Sequence, residues 1–223
     1  MEHSTKAVES SDMVPDPPRI SIITSVRNQL PMNRLFVEYL EKYTYHPYEL
    51  IVIDNASDDG STNFFKSVGA TIIENSKNFS YPYCQNQGIR LARGEVLAFL
   101  NNDLIVSPDW DRKLIEIMER QGYDFLSPAS NDRAENAQET KRLRRRWRMI
   151  KNPFLWLFGA SRTNLLRMFG LMYGKWDVYQ QHRSSRFAHE TMEGFSGSCI
   201  IATRQGMAKM EMTWDERLSL IHI

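Results

Sequence analysis

The sequence predicts an α/β protein: a mostly parallel sheet flanked by helices, with a basic helical insert. Three observations predict it. Short β-branched or apolar runs alternate with stretches of helical periodicity through residues 19–130, the pattern of strand–helix–strand units. The strands are apolar almost throughout, as in sheets covered on both faces. Two of them run straight into carboxylates, LIVIDN at Leu50–Asn55 and VLAFLNND at Val96–Asp103. In open parallel sheets ligands gather beyond the carboxyl ends of the strands, so Asp54 and Asp103 are expected to face one crevice.

Arg19–Ser25 (RISIITS) is the first strand and leads into the polar turn Thr24–Asn28. From Pro31 to Tyr43 the residues Leu35, Phe36, Tyr39, Leu40 and Tyr43 recur at helical spacing. Tyr48–Asp54 is the second strand; the turn NASDDGS and a short helix through Phe64 and Phe65 follow it. Ala70–Glu74 is the third strand, and Tyr83–Ala92 a helix with Arg93-Gly94 as its expected C-cap. Val96–Leu100 is the fourth strand, Asp109–Gln121 a helix after Ser107-Pro108, and Asp124–Pro128 a fifth strand. The alternation then breaks from Asn131 to Glu190. There KRLRRRWRMIK precedes the apolar, aromatic FLWLFGASRTNLLRMFGLMYGKW, with stripes suited to one or two helices. Pattern returns at Glu193–Arg204 (EGFSGSCIIATR), a strand with small residues around two glycines.

Composition narrows the class. With 223 residues, 42% hydrophobic and 25% charged, the chain suits one large globular domain or one domain with an appendage. No uncharged apolar run reaches the length of a bilayer span, and MEHSTKAVESSDMVPDPP has no apolar core behind a basic start, so it is read as a flexible lead over 1–18 and not as a secretion signal. Cys84 and Cys199 stand far apart without CxxC spacing; a reducing, cytoplasmic setting is the expectation. The net charge of +1 conceals an asymmetry: Arg133–Arg186 holds thirteen Lys and Arg against three Asp and Glu, +10, which leaves −9 for the remainder. That segment is suited to an anionic partner or surface. His182 and His189 have no ligand-type neighbours at metal spacing and read as structural.

The chemistry concentrates at the strand ends. In LNND, Asp103 and the amide of Asn101 could share a hard divalent cation, Mg²⁺ or Mn²⁺, which prefers oxygen ligands. Read alone, Asp103 could equally cap the following helix. Asp54 could accept hydrogen bonds from a nucleobase imide or a ribose hydroxyl, or simply organise the NASDDGS turn. Asp58 and Asp59 read as partners of a helix N-terminus. Asn86 and Arg90, four apart, share a helix face on which a guanidinium could meet a diphosphate or a base edge.

The ordered motifs SVRN, VIDNASDDGS, NQGIRLARGEVLAFLNND, GFSGSCIIATR and WDER resemble the family 2 glycosyltransferases of the A-type fold, in particular rhamnosyltransferase-like and other lipopolysaccharide-type members. The resemblance covers Arg19–Pro128 and Glu193–Arg217. It implies a nucleotide-sugar donor, a divalent cation, and inverting hexosyl or deoxyhexosyl transfer to the hydroxyl of a glycan or lipid-linked acceptor in polysaccharide biosynthesis at the cell envelope. Asp54 matches the nucleoside-binding acid, and Thr24, Ser25 and Asn28 match the turn that passes the base. LNND stands where the family has its metal-binding Asp-x-Asp, with Asn101 in place of the first acid, Asn102 facing the donor and Asp103 kept. Residues 19–130 then form the donor-binding half, 131–190 an insert and 191–217 the start of the acceptor side. The family's usual base lies beyond the Trp-Asp-Glu element, so Asp215 and Glu216 are the stand-in candidates here. The ending LSLIHI, residues 218–223, reads as a non-native tail on a C-terminally truncated chain.

For the insert three readings stay open. It is a flap whose apolar stripe packs on the body; or an interfacial element over 141–172, with Lys141–Lys151 on anionic lipid and Trp147, Trp156 and Phe158 among the headgroups; or a nucleic-acid contact, not expected because no recognisable module accompanies the arginines. Rival functions are a nucleotidyltransferase, which SVRNQLP argues against by lacking glycines, and a catalytically incomplete nucleotide-binding or membrane-docking protein derived from a transferase.

Overall fold

The computed structural model describes residues 17–131, 133–187 and 193–216. Residues 1–16 of the expected lead, His189, Arg217 and the expected tail from 218 lie outside the described residues. The described elements are β1 (Ile20–Val26), α1 (Leu30–Tyr43), β2 (Tyr48–Asn55), α2 (Ser61–Ser67), β3 (Thr71–Asn75), α3 (Tyr81–Leu91), β4 (Val96–Leu100), α4 (Trp110–Gln121), β5 (Phe125–Leu126), α5 (Ala137–Phe158), α6 (Arg162–Tyr173), α7 (Trp176–Phe187), β6 (Cys199–Thr203) and α8 (Arg204–Lys209). They build a six-stranded sheet in the order β3-β2-β1-β4-β6-β5. β1 to β4 are parallel, and β6 runs antiparallel to both its neighbours. The architecture is the mostly parallel, helix-flanked sheet the sequence predicts.

Apolar runs on both strand faces dictate two cores. Ile22, Val52, Ala98 and Ile201 face Phe36 and Leu40 of α1 and Trp110, Leu114 and Met118 of α4. Ile23, Ile51, Leu97 and Phe99 face Cys84 and Ile89 of α3 and Met207 of α8. Each fully buried Ile, Leu or Phe contributes about 1.5–3 kcal/mol relative to exposure. Helix α3 lies very close to the sheet. A methyl at Gly88 would sit 2.4 Å from Cγ2 of Ile23, and one at Gly94 would sit 2.5 Å from the backbone N of Ser21. Gly94 is therefore required for close backbone approach and is not the helix C-cap that the sequence predicts; α3 ends earlier, with Ala92 extended.

The second half departs from expectation in three places. The insert forms three helices, not one or two, broken at Gly159 and Gly174, both with left-handed φ (69° and 70°). Of Glu193–Arg204, expected as a strand, Cys199–Thr203 forms β6, which lies inside the main sheet between β4 and β5. The helix α8 that follows directly on β6 is not foreseen. The insert's stripe packs on the body: Leu165 and Met168 of α6 meet Leu35 of α1. Trp176 Nε1 donates to the Val106 carbonyl at 2.9 Å, and Arg183 pairs with Glu135 in a largely buried ion pair.

Candidate active site

The register across the sheet decides where the two strand-end acids lie. β1 sits between β2 and β4, and Asp54 is opposite Val26. β1 also pairs with β4, Ile23 opposite Phe99 being the last pair, and β4 ends at Leu100. β1, β2 and β4 are parallel, so Asp54 at the end of β2 and the exit Asn101–Asp103 after β4 lie at the same carboxyl edge of the sheet.

Side chains stitch these ends together. Asp54, only 3% exposed, accepts from the backbone N–H of Ser57 at 3.2 Å, from the Ser57 hydroxyl, and from Thr62 Oγ1 at 2.5 Å. Ser57 Oγ in turn accepts from the backbone N–H of Asn28 at 2.7 Å. The Asn28 carbonyl accepts from Asn33 Nδ2 at 2.9 Å, and Asn33 Oδ1 accepts from Asn102 Nδ2 at 2.6 Å. An unbroken chain of hydrogen bonds therefore runs from the end of β2 through the β1 turn to the exit of β4. The turns hold unusual backbone: Asn28, Gln29 and Ala56 all have φ between 60° and 68°, a region costing a non-glycine residue about 1 kcal/mol or more. Asp59, as expected, serves helix starts. It accepts from Leu30 N at 2.7 Å on α1 and from Ser61 N at 3.0 Å on α2. Burial alone would raise its carboxyl, but the donors from Ser61 and Leu30 outweigh that and hold it below the usual range.

The opposite wall comes from α3 and the segment after α8. Asn86 Oδ1 accepts from Trp214 N at 2.7 Å, while Asn86 Nδ2 donates to the Trp214 carbonyl and to Glu216 Oε1, each at 2.9 Å. The Trp214 ring stands edge-on to Phe99 of β4 at 5.2 Å. Asn86 thus anchors the Trp-Asp-Glu element. Glu216 and Asp215 are exposed at this wall. Arg90 is corrected by topology. It lies in the last turn of α3, next to the Ala92–Gly94 segment that bonds Ser21 and Glu49 at the strand starts, at the edge away from Asp54 and Asp103.

Three polar residues stand out by their burial, and two of them, Asn33 and Gln85, escape a reading of the sequence. Asn33 is fully buried and ties Asn28, Ser61 and Asn102 together; its signal was an amide on the apolar face of α1. Gln85, fully buried on α3, leaves both amide atoms without a protein partner. The Thr24 hydroxyl is likewise buried and unpartnered; Ser25, one residue on, is half-buried opposite Ile53.

Among the described residues no three His, Cys, Asp or Glu side chains form a metal cluster. A Mg²⁺ or Mn²⁺ ion that completes its shell with diphosphate oxygens and water needs only one or two protein oxygens. The exposed Asp103 carboxylate and half-buried Asn101 amide beside it offer that hard-oxygen set, so the residues fit.

The sequence model described as Glycosyl transferase family 2 matches residues 21–190. Among curated proteins, the chain is 26% identical over 117 residues to glycosyltransferase AglE of Haloferax volcanii, 49% of this chain and 38% of that protein. It is 26% identical over 102 residues to the putative glycosyltransferase EpsH of Bacillus subtilis, 44% and 30% of the two chains. The matched region spans well under half of these relatives' lengths. Among solved structures, mannosyltransferase PcManGT of Pyrobaculum calidifontis, in complex with GDP-Man and Mn²⁺, superposes with a TM-score of 0.55 at 14% identity over 91% of this chain and 49% of that one. S. aureus TarS 1–349, in complex with UDP, gives 0.55 at 16% identity over 91% and 52%. These likenesses show the A-type glycosyltransferase fold, and with a family match over most of its length the chain belongs to glycosyl transferase family 2.

Proposed function

We propose that this chain binds a nucleotide-sugar donor and carries out inverting transfer of a hexosyl or deoxyhexosyl group to a hydroxyl of a glycan or lipid-linked acceptor, with a divalent cation as cofactor. One observation carries the reading: Asp54 and the Asn101–Asp103 exit share one sheet edge and one hydrogen-bond chain. The matched family supports it, as do the structural neighbours, solved with GDP-Man and Mn²⁺ and with UDP. In this reading Asp54 accepts from the base or ribose, and Thr24, Ser25, Asn28 and Asn102 shape the turn that passes it. Asp103 with Asn101 would hold Mn²⁺ or Mg²⁺, which when bound would supply positive charge against a departing nucleoside diphosphate. The acceptor O–H loses its proton to a carboxylate, Glu216 or Asp215, as its oxygen bonds the anomeric carbon. The bond from that carbon to the diphosphate breaks, and the diphosphate leaves with the electron pair on the opposite face.

The excess of cations in the insert favours an anionic working surface, so the reading includes a polysaccharide acceptor presented at the cytoplasmic membrane face. Among the described residues no helix is long and apolar enough to cross a membrane. Calorimetric titration with UDP, dTDP and GDP, with and without Mn²⁺, tests the donor site; no binding of any of the three sinks it. Release of free nucleotide from a bound sugar nucleotide, with and without a sugar acceptor, separates turnover from binding alone.

A further inference from the structure

The three helices of the insert sort its residues into two sets that composition could not separate. Trp147 is half-buried, stacked on Tyr173 and packed with Leu143, Ile150 and Phe154 toward α6. Leu165, Met168 and Met172 are buried as well. Much of the apolar surface in 141–172 is therefore already used inside the protein, as in the flap reading, and an interfacial contact falls to the residues left outside. What remains outside is specific. Trp156, Leu157 and Phe158, the last residues of α5, are 84%, 62% and 58% exposed, and Met149 is 66% exposed. Helical spacing places Arg142, Arg145, Met149 and Trp156 on one face, the face turned away from the buried Leu143 and the half-buried Trp147, Ile150 and Phe154. Lys141, Arg148 and Lys151 are also exposed along the helix.

We infer that the outer face of α5 docks on an anionic lipid surface, with the Trp156-Leu157-Phe158 tip entering the headgroup region and Arg142 and Arg145 resting on lipid phosphates. The chemistry fits on both counts. A tip of two aromatics and a leucine ending at the Gly159 bend offers apolar area with an amphipathic indole, the composition of membrane interfaces. A helix rich in exposed cations suits anionic headgroups: Lys141, Arg142, Arg145, Arg148 and Lys151 are all exposed along α5, with Arg142 also paired to Glu139 at 2.8 Å, three residues back on the same helix. Docking there has a structural consequence. α5 packs on α6 and α6 on Leu35 of α1, and the first turn of α1 borders the crevice through Asn33. A surface held by α5 is thereby held at a fixed distance from the strand ends. This deepens the proposed reading, on which it rests for the lipid-linked acceptor, but it is tested without it.

The test is vesicle co-flotation of the full chain, with phosphatidylcholine alone and with added phosphatidylglycerol. Co-flotation is expected with the anionic vesicles only, and is expected to fall as salt rises. The tip variant Trp156→Ala/Leu157→Ala/Phe158→Ala and the charge variant Arg142→Glu/Arg145→Glu should each lose at least about tenfold in partitioning. Both alter exposed side chains, so the melting temperature and calorimetric nucleotide binding of each should stay as in the parent chain. No co-flotation at low salt overturns the inference. So does flotation that survives both variants, or retention on a soluble polyanion column with no affinity for vesicles. Lost nucleotide binding with intact flotation would strike the transfer reading alone, and lost flotation with intact nucleotide binding the docking alone.

Discussion

Asn33 and Asn102 are joined by a 2.6 Å hydrogen bond between their side-chain amides, and this bond crosses from the first helix to the exit of the fourth strand. It matters because Asn33 is fully buried and spends its own amide N–H groups on the Asn28 carbonyl and the Ser61 hydroxyl. One residue thus sets the positions of three loops around the crevice. Replacing it with Ala strands buried partners and should cost about 2–4 kcal/mol of stability. A guanidinium melt reads that loss. Donor affinity should fall in the same variant, since the Asn101–Asp103 exit loses its tether. Unchanged affinity beside a lowered melt would show that the exit holds its shape alone.

Asn86 and Trp214 give a prediction that separates anchoring from ligand binding. Both N–H donors of Asn86 are spent on Trp214 O and Glu216 Oε1, and its oxygen accepts from Trp214 N. Asn86→Ala should therefore destabilise the chain by about 1–3 kcal/mol and increase proteolytic cutting near Trp214. Nucleoside diphosphate affinity in calorimetry should change by less than about twofold, below 0.5 kcal/mol. A tenfold loss would return Asn86 to the donor site.

How much of this could be read in the sequence follows from which interactions are local. β1 to β4 were legible because a buried parallel strand is a continuous apolar run, and Asp54 and Asp103 because a strand that ends in an acid stands out. Long-range partners were not. Nothing local says that Asn86 meets a tryptophan 128 positions away, or that Asn102 meets Asn33. The helix direction of α3 would have placed Arg90 at the wrong edge had it been followed through, since a helix returning between parallel strands ends where they begin. Gly94 looked like a cap because glycines often are; its closeness to Ser21 is visible only once the chain is folded. The insert's composition told its charge but not its orientation, which depends on packing against Leu35.

Glu49 supplies a pH prediction. It is mostly buried, which by itself would raise its carboxyl. Donors outweigh that: Ser21 Oγ at 2.6 Å, the Arg93 backbone N–H at 2.6 Å and Arg93 Nε at 2.9 Å, and they hold its carboxyl below the usual glutamate value of 4.5. A carboxylate depressed in the folded state contributes stability that is present above its unfolded value and disappears as pH falls through the folded one. Glu49→Gln should thus lower the melting temperature at neutral pH, and the gap to the parent chain should close as the pH drops below about 4.5. A gap that stays constant down to acid pH would remove Glu49 from the acid-labile set.

The two strand-end acids should fail in different ways, and this contrast bears most directly on the crevice. Asp54 lies in the turn that is proposed to hold base or ribose, so Asp54→Ala should weaken nucleoside diphosphate binding whether or not Mn²⁺ is present. Loss of a hydrogen bond to a charged acceptor is worth about 1.5–3 kcal/mol, roughly tenfold to a hundredfold in Kd. Some of that arises indirectly, because Ser57 and Thr62 lose their acceptor as well. Titration with the plain nucleoside isolates the base and ribose part, and it should weaken by a similar factor. Asp103→Ala should leave binding of the plain nucleoside untouched and abolish only the gain in diphosphate affinity that Mn²⁺ provides, because a hard cation bridges carboxylate and phosphate oxygens. The metal-free titration is the control for each. If Asp103→Ala weakened nucleoside binding as much as Asp54→Ala, the division of labour would be wrong even though both acids shared one pocket. If neither variant changed any titration, the shared edge that the register and the Asn28–Asn33–Asn102 bonds define would be a structural seam with no donor in it.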